Sequence, residues 1–182
     1  MNDLMVDIET LGTSYNSVIV QIGAVYFDRY TGLLDGDTKT QFSVNIQIQD
    51  CLNKGLKIDA GALKFWFEQG ADKMSWLKEP VSLEKALAYF RDFSCKAENV
   101  WSHASFDMPI IANAYQSIGQ RLPFPYKAIR DIRTLVSLAD IPFDKDAHKI
   151  GKTHTGLEDA IYQVSYCVKC FNKLKEITNE KT

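Results

Sequence analysis

Apolar and polar positions alternate over Leu4–Thr10, so that Val6 and Ile8 face one side of an extended chain and Asp7 and Glu9 the other. The run reads as a short buried strand. Val18–Asp28 is a second, longer β-rich run, residues 29–32 look like a turn, and Thr40–Ile48 alternates as a third strand. The three predict an antiparallel meander, followed by an irregular stretch over 50–57. Helical periodicity then takes over. Asp59 is placed to cap a helix reaching Phe67, a second short helix fits 72–78 before Pro80, and Ser82 is placed to cap a third. In that third helix Leu83, Leu87, Phe90 and Phe93 share one face. Asn99–Ser102 reads as a strand leading through His103 to Asp107, and Pro109 suits the first turn of a helix that stops at Gly119. A further strand near 128–132, a helical turn or two over 133–139, a polar irregular stretch over 141–153 and a last helix from Thr155 to about Lys175 complete the pattern. The expected fold class is α/β: a mixed five-stranded sheet, an antiparallel three-strand meander plus two parallel strands, flanked by helices. One domain is expected over residues 1–182, with a frayed tail from about 176.

Composition narrows the function more than the fold. No apolar run approaches membrane-spanning length and the N-terminus lacks a signal-peptide pattern, so a cytoplasmic protein with no membrane partner is expected. A net charge of −2 argues against a protein that grips duplex DNA through many phosphates. It leaves room for an enzyme that engages a nucleic-acid end through bound metal. Cys167-Val-Lys-Cys170 is formally C-x-x-C, but it lies in a late helical stretch with no second close pair, so a reduced, structural role is expected.

The chemistry starts at the first strand. Asp7 and Glu9 lie about 7 Å apart on one face, and two buried carboxylates are costly unless a cation sits between them. Hard divalent ions, commonly Mg²⁺, fill that role; a solvated acid pair is the plainer alternative. Asp107 falls where a strand hands over to a helix, a place for an N-cap or for a site. Thr155-Gly156-Leu157-Glu158 fits the T-x-x-E capping box, which makes Thr155 the N-cap, His154 N′ and Asp159 N4. N′ and N4 are the pair that touch in a hydrophobic staple, so an imidazole and a carboxylate stand side by side; a surface ion pair is again the plain alternative.

These stretches together resemble the DEDDh group of 3′-5′ exonucleases. Asp7-Ile8-Glu9-Thr10 matches the first motif, His103-Ala104-Ser105-Phe106-Asp107 the second, and His154-Thr155-Gly156-Leu157-Glu158-Asp159-Ala160 the third. Glu9–Thr13, Gln21–Val25 and Arg130–Thr134 bring the chain nearest to a branch of phage-encoded exodeoxyribonucleases and bacterial exoribonucleases. That branch usually has Trp-Trp where this chain has Phe65-Trp66 and Pro-Trp where it has Pro125-Tyr126. The resemblance implies a ribonuclease H-like fold and two-metal hydrolysis, in which two Mg²⁺ ions, replaceable by Mn²⁺, clamp the attacking and leaving oxygens. It implies that Asp7 bridges the ions, Glu9 and Asp159 complete one site, Asp107 supports the other through water, and His154 takes the proton from the attacking water. Four acids make an oxygen-only ligand set. Thr10, Leu11, Trp66 and Phe106 are the expected substrate contacts, with Leu11 wedged against the terminal base and Trp66 or Phe65 stacking on a base; core packing is the competing role for Phe65 and Phe67. Lys145, Lys149 and Lys152 are candidates to meet phosphates. The expected substrates are single-stranded DNA or RNA 3′ ends, with DNA slightly favoured and nucleoside 5′-monophosphates as products. An exoribonuclease and a non-catalytic binding module are the alternatives, and a homodimer is left open.

Overall fold

The computed structural model describes residues 3–34, 38–141 and 155–179. Its frame is a mixed sheet with β1 (Asp3–Thr10) in the middle. β2 (Ile19–Asp28) runs antiparallel to β1, with Asp7 opposite Gly23 and Glu9 opposite Gln21. The outer edge of β2 carries β4 (Gln41–Asn45) along its first half and the two-residue β3 (Gly32–Leu33) near its end. On its other edge β1 pairs in parallel with β5 (Asn99–Ser102), which pairs in parallel with β6 (Ile129–Asp131). The expected meander and parallel pair are present; β3 is an addition, formed where the turn after β2 folds the chain back.

Because β-strand side chains alternate, β1 feeds two cores. Leu4, Val6 and Ile8 pack into the larger one, under α1 (Ile48–Asn53), α2 (Ala60–Gln69), α3 (Leu83–Ser94) and α4 (Asp107–Ser117). Met5 packs into the smaller one, under α5 (Ile132–Ala139) and α6 (Gly156–Asn179), with Trp101, Leu135, Val164 and Cys167. Cys167 and Cys170 are free thiols buried there, and burial pushes both thiols up, which suits a reduced structural role. The predicted caps at Asp59 and Ser82 each accept the expected backbone N–H, from Ala62 and Lys85.

Four element boundaries differ from the sequence pattern. The third strand ends at Asn45, not at residue 48: Ile46 still donates to the Val20 carbonyl of β2 at 2.9 Å but turns its other edge to a parallel bridge with Val81, and α1 begins at Ile48. Part of the stretch expected to be irregular is α1, held by the Asp50 carboxylate accepting the Leu83 N–H at 2.7 Å and by the buried Cys51. The helix expected over 72–78 is two 3₁₀ turns, Ala71–Lys73 and Ser75–Leu77, the second of which buries Trp76 edge-on against Trp66 at 5.5 Å. α6 reaches Asn179, beyond the point at which fraying is expected.

The seating of α6 fixes everything that follows. A Cβ on Gly23 would lie 2.0 Å from the Gly156 carbonyl carbon and 2.1 Å from the Leu157 nitrogen, and one on Gly156 would lie 3.0 Å from the Asp7 carbonyl oxygen. Helix backbone therefore rests on strand backbone. Gln21 Oε1 accepts the Gly156 N–H at 2.7 Å, and the Thr155 hydroxyl accepts the Glu158 N–H at 3.3 Å, as the capping box requires. Gly23→Ala should force these backbones apart and cost about 1–3 kcal/mol, as overpacking does. Urea denaturation of the two proteins measures this, and an unchanged midpoint would mean that α6 lifts off without penalty.

Candidate active site

The site forms where β5 ends beside the middle of β1, next to Asp7. β5 stops at Ser102, and the chain turns into α4 with the Phe106 and Asp107 N–H groups both donating to the His103 carbonyl, at 2.7 and 3.0 Å. Asp131, the N-cap of α5, fastens this turn. One of its carboxylate oxygens accepts the Thr134 N–H at 2.8 Å and the other accepts the Ala104 N–H at 3.0 Å. α6 contributes Asp159, Gln163 and Tyr166, spaced four and three residues apart and so on one helical face.

These elements bring four of the five expected catalytic residues together. Ligand atoms of Asp7, Glu9 and Asp159 all lie within 4.8 Å of one another. A second group with the same spread is Asp7, Asp107 and His103, so Asp7 belongs to both. His154 lies outside the described residues, as do Lys145, Lys149 and Lys152. Asp107 is the first residue of α4 and not its cap; Phe106 holds the cap position, with no side-chain bond. Asp107 is 1% exposed, and its Oδ2 has no hydrogen-bond partner. An orphaned carboxylate oxygen at that depth is expensive unless a cation meets it.

The electrostatics agree. Burial, then the charges of Asp107, Glu9 and Asp159, push the Asp7 carboxyl well above the ordinary carboxylate range, against a 2.6 Å hydrogen bond donated by Gln163 Nε2. Burial, then Asp159 and Asp107, push Glu9 up to about 8. Burial pushes Asp107 up to about 7, opposed by the backbone hydrogen bond at His103 and by the Arg133 charge. Asp3 shows the contrast on the same face of β1. It is fully buried, but Arg29 grips both its oxygens, at 2.7 and 2.8 Å, and the Trp101 indole donates to it at 3.0 Å. Asp3 has a cation of its own, whereas Asp7 sits among acids. The donor set, the orphaned oxygen and the crowding of carboxylates all fit divalent metal.

Two of the four expected substrate contacts, Leu11 and Trp66, are buried. Leu11 is 1% exposed and Trp66 2% exposed; both belong to the larger core. Trp66 turns inward to pack edge-on against Trp76 and to donate its indole N–H to the Thr10 carbonyl at 3.0 Å. A helix advances about 100° per residue, so its neighbours Phe65 and Phe67, whose competing role is core packing, point outward at 43% and 74% exposure. The Thr10 hydroxyl donates to the Gly12 carbonyl at 2.7 Å, and Phe106 is half-buried against the larger core. His103, Gln163, Tyr166 and Gln21 are absent from the sequence-based site. Gln163 and Tyr166 are readable as the next two positions on the Asp159 face, and His103 opens the same stretch that delivers Asp107. Beside His103 a cavity of about 300 Å³ is lined by Ile132, Arg133, Val136, Ser137 and Tyr166.

The chain belongs to the Rv2179c-like 3′-5′ exoribonuclease domain family, which matches residues 2–171. No curated protein sequence matches it. Among solved structures it is similar to E. coli exonuclease I in complex with a dT13 oligonucleotide, with a TM-score of 0.71, 12% identity, 98% of this chain covered and 43% of that one. The RNase domain of the yeast Pop2 protein matches with a TM-score of 0.59 and 12% identity, over 97% of this chain and 77% of that one. A zinc-bound form of the exonuclease I–ssDNA complex matches at a TM-score of 0.64 and 12% identity, over 91% and 39%. The chain therefore spans less than half the length of exonuclease I. These likenesses carry the ribonuclease H-like exonuclease fold, in agreement with the expected fold class. No helix among the described residues is long and apolar enough to cross a membrane.

The raised acids make a pH prediction for metal-free protein. An unfolded chain ionises Glu9 above its ordinary value of 4.5, while the folded chain holds the proton up to about 8. The folded state binds more protons across that window, so this contribution to stability is complete below about 4.5 and is lost as pH rises through about 8. The melting temperature without metal should fall as pH is raised across this range, and Asp7→Asn should flatten the fall and leave the melting temperature at pH 8 level or higher. A melting temperature that rises with pH would contradict the assigned crowding.

Proposed function

We propose that this chain hydrolyses single-stranded nucleic acid from the 3′ end to nucleoside 5′-monophosphates, with RNA as the first substrate to test. The observation that carries the reading is the convergence of Asp7, Glu9, Asp107 and Asp159, with Asp7 common to both ligand groups. The family description favours RNA over the DNA preference drawn from the sequence. DNA is the second reading, favoured by the likeness to exonuclease I with dT13. A site selective for RNA must contact the 2′-hydroxyl.

Asp7, Glu9 and Asp159 would hold one divalent ion, Mg²⁺ or Mn²⁺, and Asp7 with Asp107 the other. When bound, such ions polarise the scissile phosphate and neutralise charge that develops on it. The chain's own residues do the rest. Gln163 holds Asp7 in place through its 2.6 Å amide bond. Arg133, exposed on the cavity wall, is placed to meet a phosphate. A water attacks phosphorus, the bond to the 3′-oxygen of the preceding nucleotide breaks, and the phosphate leaves on the terminal nucleotide. His154 is proposed as the base that takes the proton of that water, on the sequence pattern at the start of α6. Histidine is the side chain whose reference pKa, about 6.5, suits proton transfer near neutral pH. Phe65 and Phe67, exposed on α2 on either side of the Trp66 that donates to the Thr10 carbonyl, replace Trp66 as candidates for stacking. A cytoplasmic location is part of the proposal; the oligomeric state is left open.

Side-by-side digestion of 3′-labelled and 5′-labelled single-stranded RNA, DNA and 3′-overhang duplexes tests this reading. Monophosphates released stepwise from the 3′ end are expected, with no activity in excess chelator and recovery on adding Mg²⁺ or Mn²⁺. Undiminished hydrolysis after exhaustive chelation would overturn it. His154→Ala should lower kcat by ~10²–10⁴-fold, the usual loss of a general base, while leaving Ca²⁺-supported binding of a short oligonucleotide nearly unchanged. Weaker binding with kcat retained would instead make His154 a phosphate ligand.

A further inference from the structure

We propose that the imidazole of His103 is a direct ligand of the second metal ion, making that half of the site a mixed nitrogen–oxygen centre. The proposal rests on the metal-dependent reading above and refines it: the acids alone predict oxygen donors throughout, and the structure adds a histidine. One ring nitrogen of His103 lies within 4.8 Å of a carboxylate oxygen of Asp7 and of Asp107, the same spread that the Asp7–Glu9–Asp159 group shows. Three donors from two separate segments, β1 and the β5–α4 turn, converge there.

Three further observations support a ligand and not a bystander. Asp107, 1% exposed, has a buried Oδ2 with no hydrogen-bond partner. Without His103 the second ion would draw on Asp7 and Asp107 alone, fewer protein donors than the first group offers. The ring is also held. Its backbone carbonyl accepts two N–H groups of the turn, at 2.7 and 3.0 Å, and its Nε2 stands 3.5 Å from the Tyr166 hydroxyl. A metal-ligating histidine is ordinarily oriented in this way by a polar group at the ring. Tyr166 comes from the α6 face that carries Asp159 and Gln163, so both ligand groups are braced by one helix. Imidazole also suits later first-row metals more than Mg²⁺. Of the two halves, the His103 half should therefore be the one that discriminates between Mg²⁺ and ions such as Co²⁺ or Zn²⁺.

The test is Mn²⁺ binding to the intact protein, followed by electron paramagnetic resonance with electron-spin-echo detection of coordinated ¹⁴N. The chain has three histidines, His103, His148 and His154, so variants assign the signal. Wild type should bind two Mn²⁺ with a ¹⁴N coupling. His103→Ala and His103→Gln should each lose that coupling and weaken the second site at least tenfold, while the first site keeps its affinity. His154→Ala should keep the coupling. Circular dichroism checks that each variant folds; were both His103 variants unfolded, wild-type protein with the coupling retained in His148→Ala and His154→Ala would still assign it to His103. Two Mn²⁺ bound by wild type without ¹⁴N coupling, or a coupling that survives in His103→Gln, overturns this proposal and leaves the acidic metal site standing. Failure to bind Mn²⁺ at all removes the metal-dependent reading itself.

Discussion

The close approach of α6 to the sheet governs this molecule. Two glycines, Gly23 and Gly156, let a helix backbone lie directly on a strand pair, at a separation no side chain would permit. The first turn of α6 is pinned there because Gln21 accepts its leading N–H. Asp159 and Gln163 then have nowhere to go but onto Asp7 and Glu9. Carboxylates repel and resist burial, so they would not gather without a force acting elsewhere. The packing of α6 against Met5, Val25 and Phe27 supplies that force. The positive end of the helix dipole also faces the acids and offsets part of their repulsion.

Asp3 and Asp7 show how one strand serves two purposes. Both lie on the same face of β1, four residues apart. The first is neutralised inside the fold by Arg29 and Trp101 and belongs to the architecture. The second sits among other acids with the Gln163 amide donating to it, and burial among those charges favours its protonated form unless a cation is nearby. Stability and chemistry are thus separated along the strand: the end near the chain's start is electrostatically complete, and the end near α6 is not.

The sequence made the scaffold and four acids legible because each obeys a short-range rule. Asp7 and Glu9 follow the two-residue period of a strand, and Asp159 follows the capping box. The strands around them carry patterns of apolar residues that survive any tertiary context. What escaped depends on contacts distant in sequence. Trp66 and Phe65 are adjacent and both aromatic, and only the meeting of α2 with Trp76 and Thr10 decides which one turns inward. Leu11 lies two residues after Glu9, but the bend after β1 carries it into the core. His103 gains meaning from Asp7, almost a hundred residues away. Gln163 and Tyr166 were within reach of helical periodicity, since they continue the face that Asp159 begins.

α6 is also a single rod of 24 residues. At 1.5 Å per residue it is about 36 Å long. One end delivers Asp159 to the acids. Well along it, Phe171 packs beneath Arg29 and against Trp101, Asn172 donates to the Tyr30 carbonyl at 3.0 Å, and Lys173 donates to the Asp140 carbonyl at 2.7 Å. These anchors lie roughly 18 Å from Asp159 along the axis, which makes the helix a lever. A tilt of about 2° pivoting there would carry Asp159 by roughly 0.6 Å over that arm, the scale at which misplacement of a reacting group begins to cost rate. Alignment of the acids is therefore set partly at the turn after β2 and at the end of α5, far along the helix from the acids themselves.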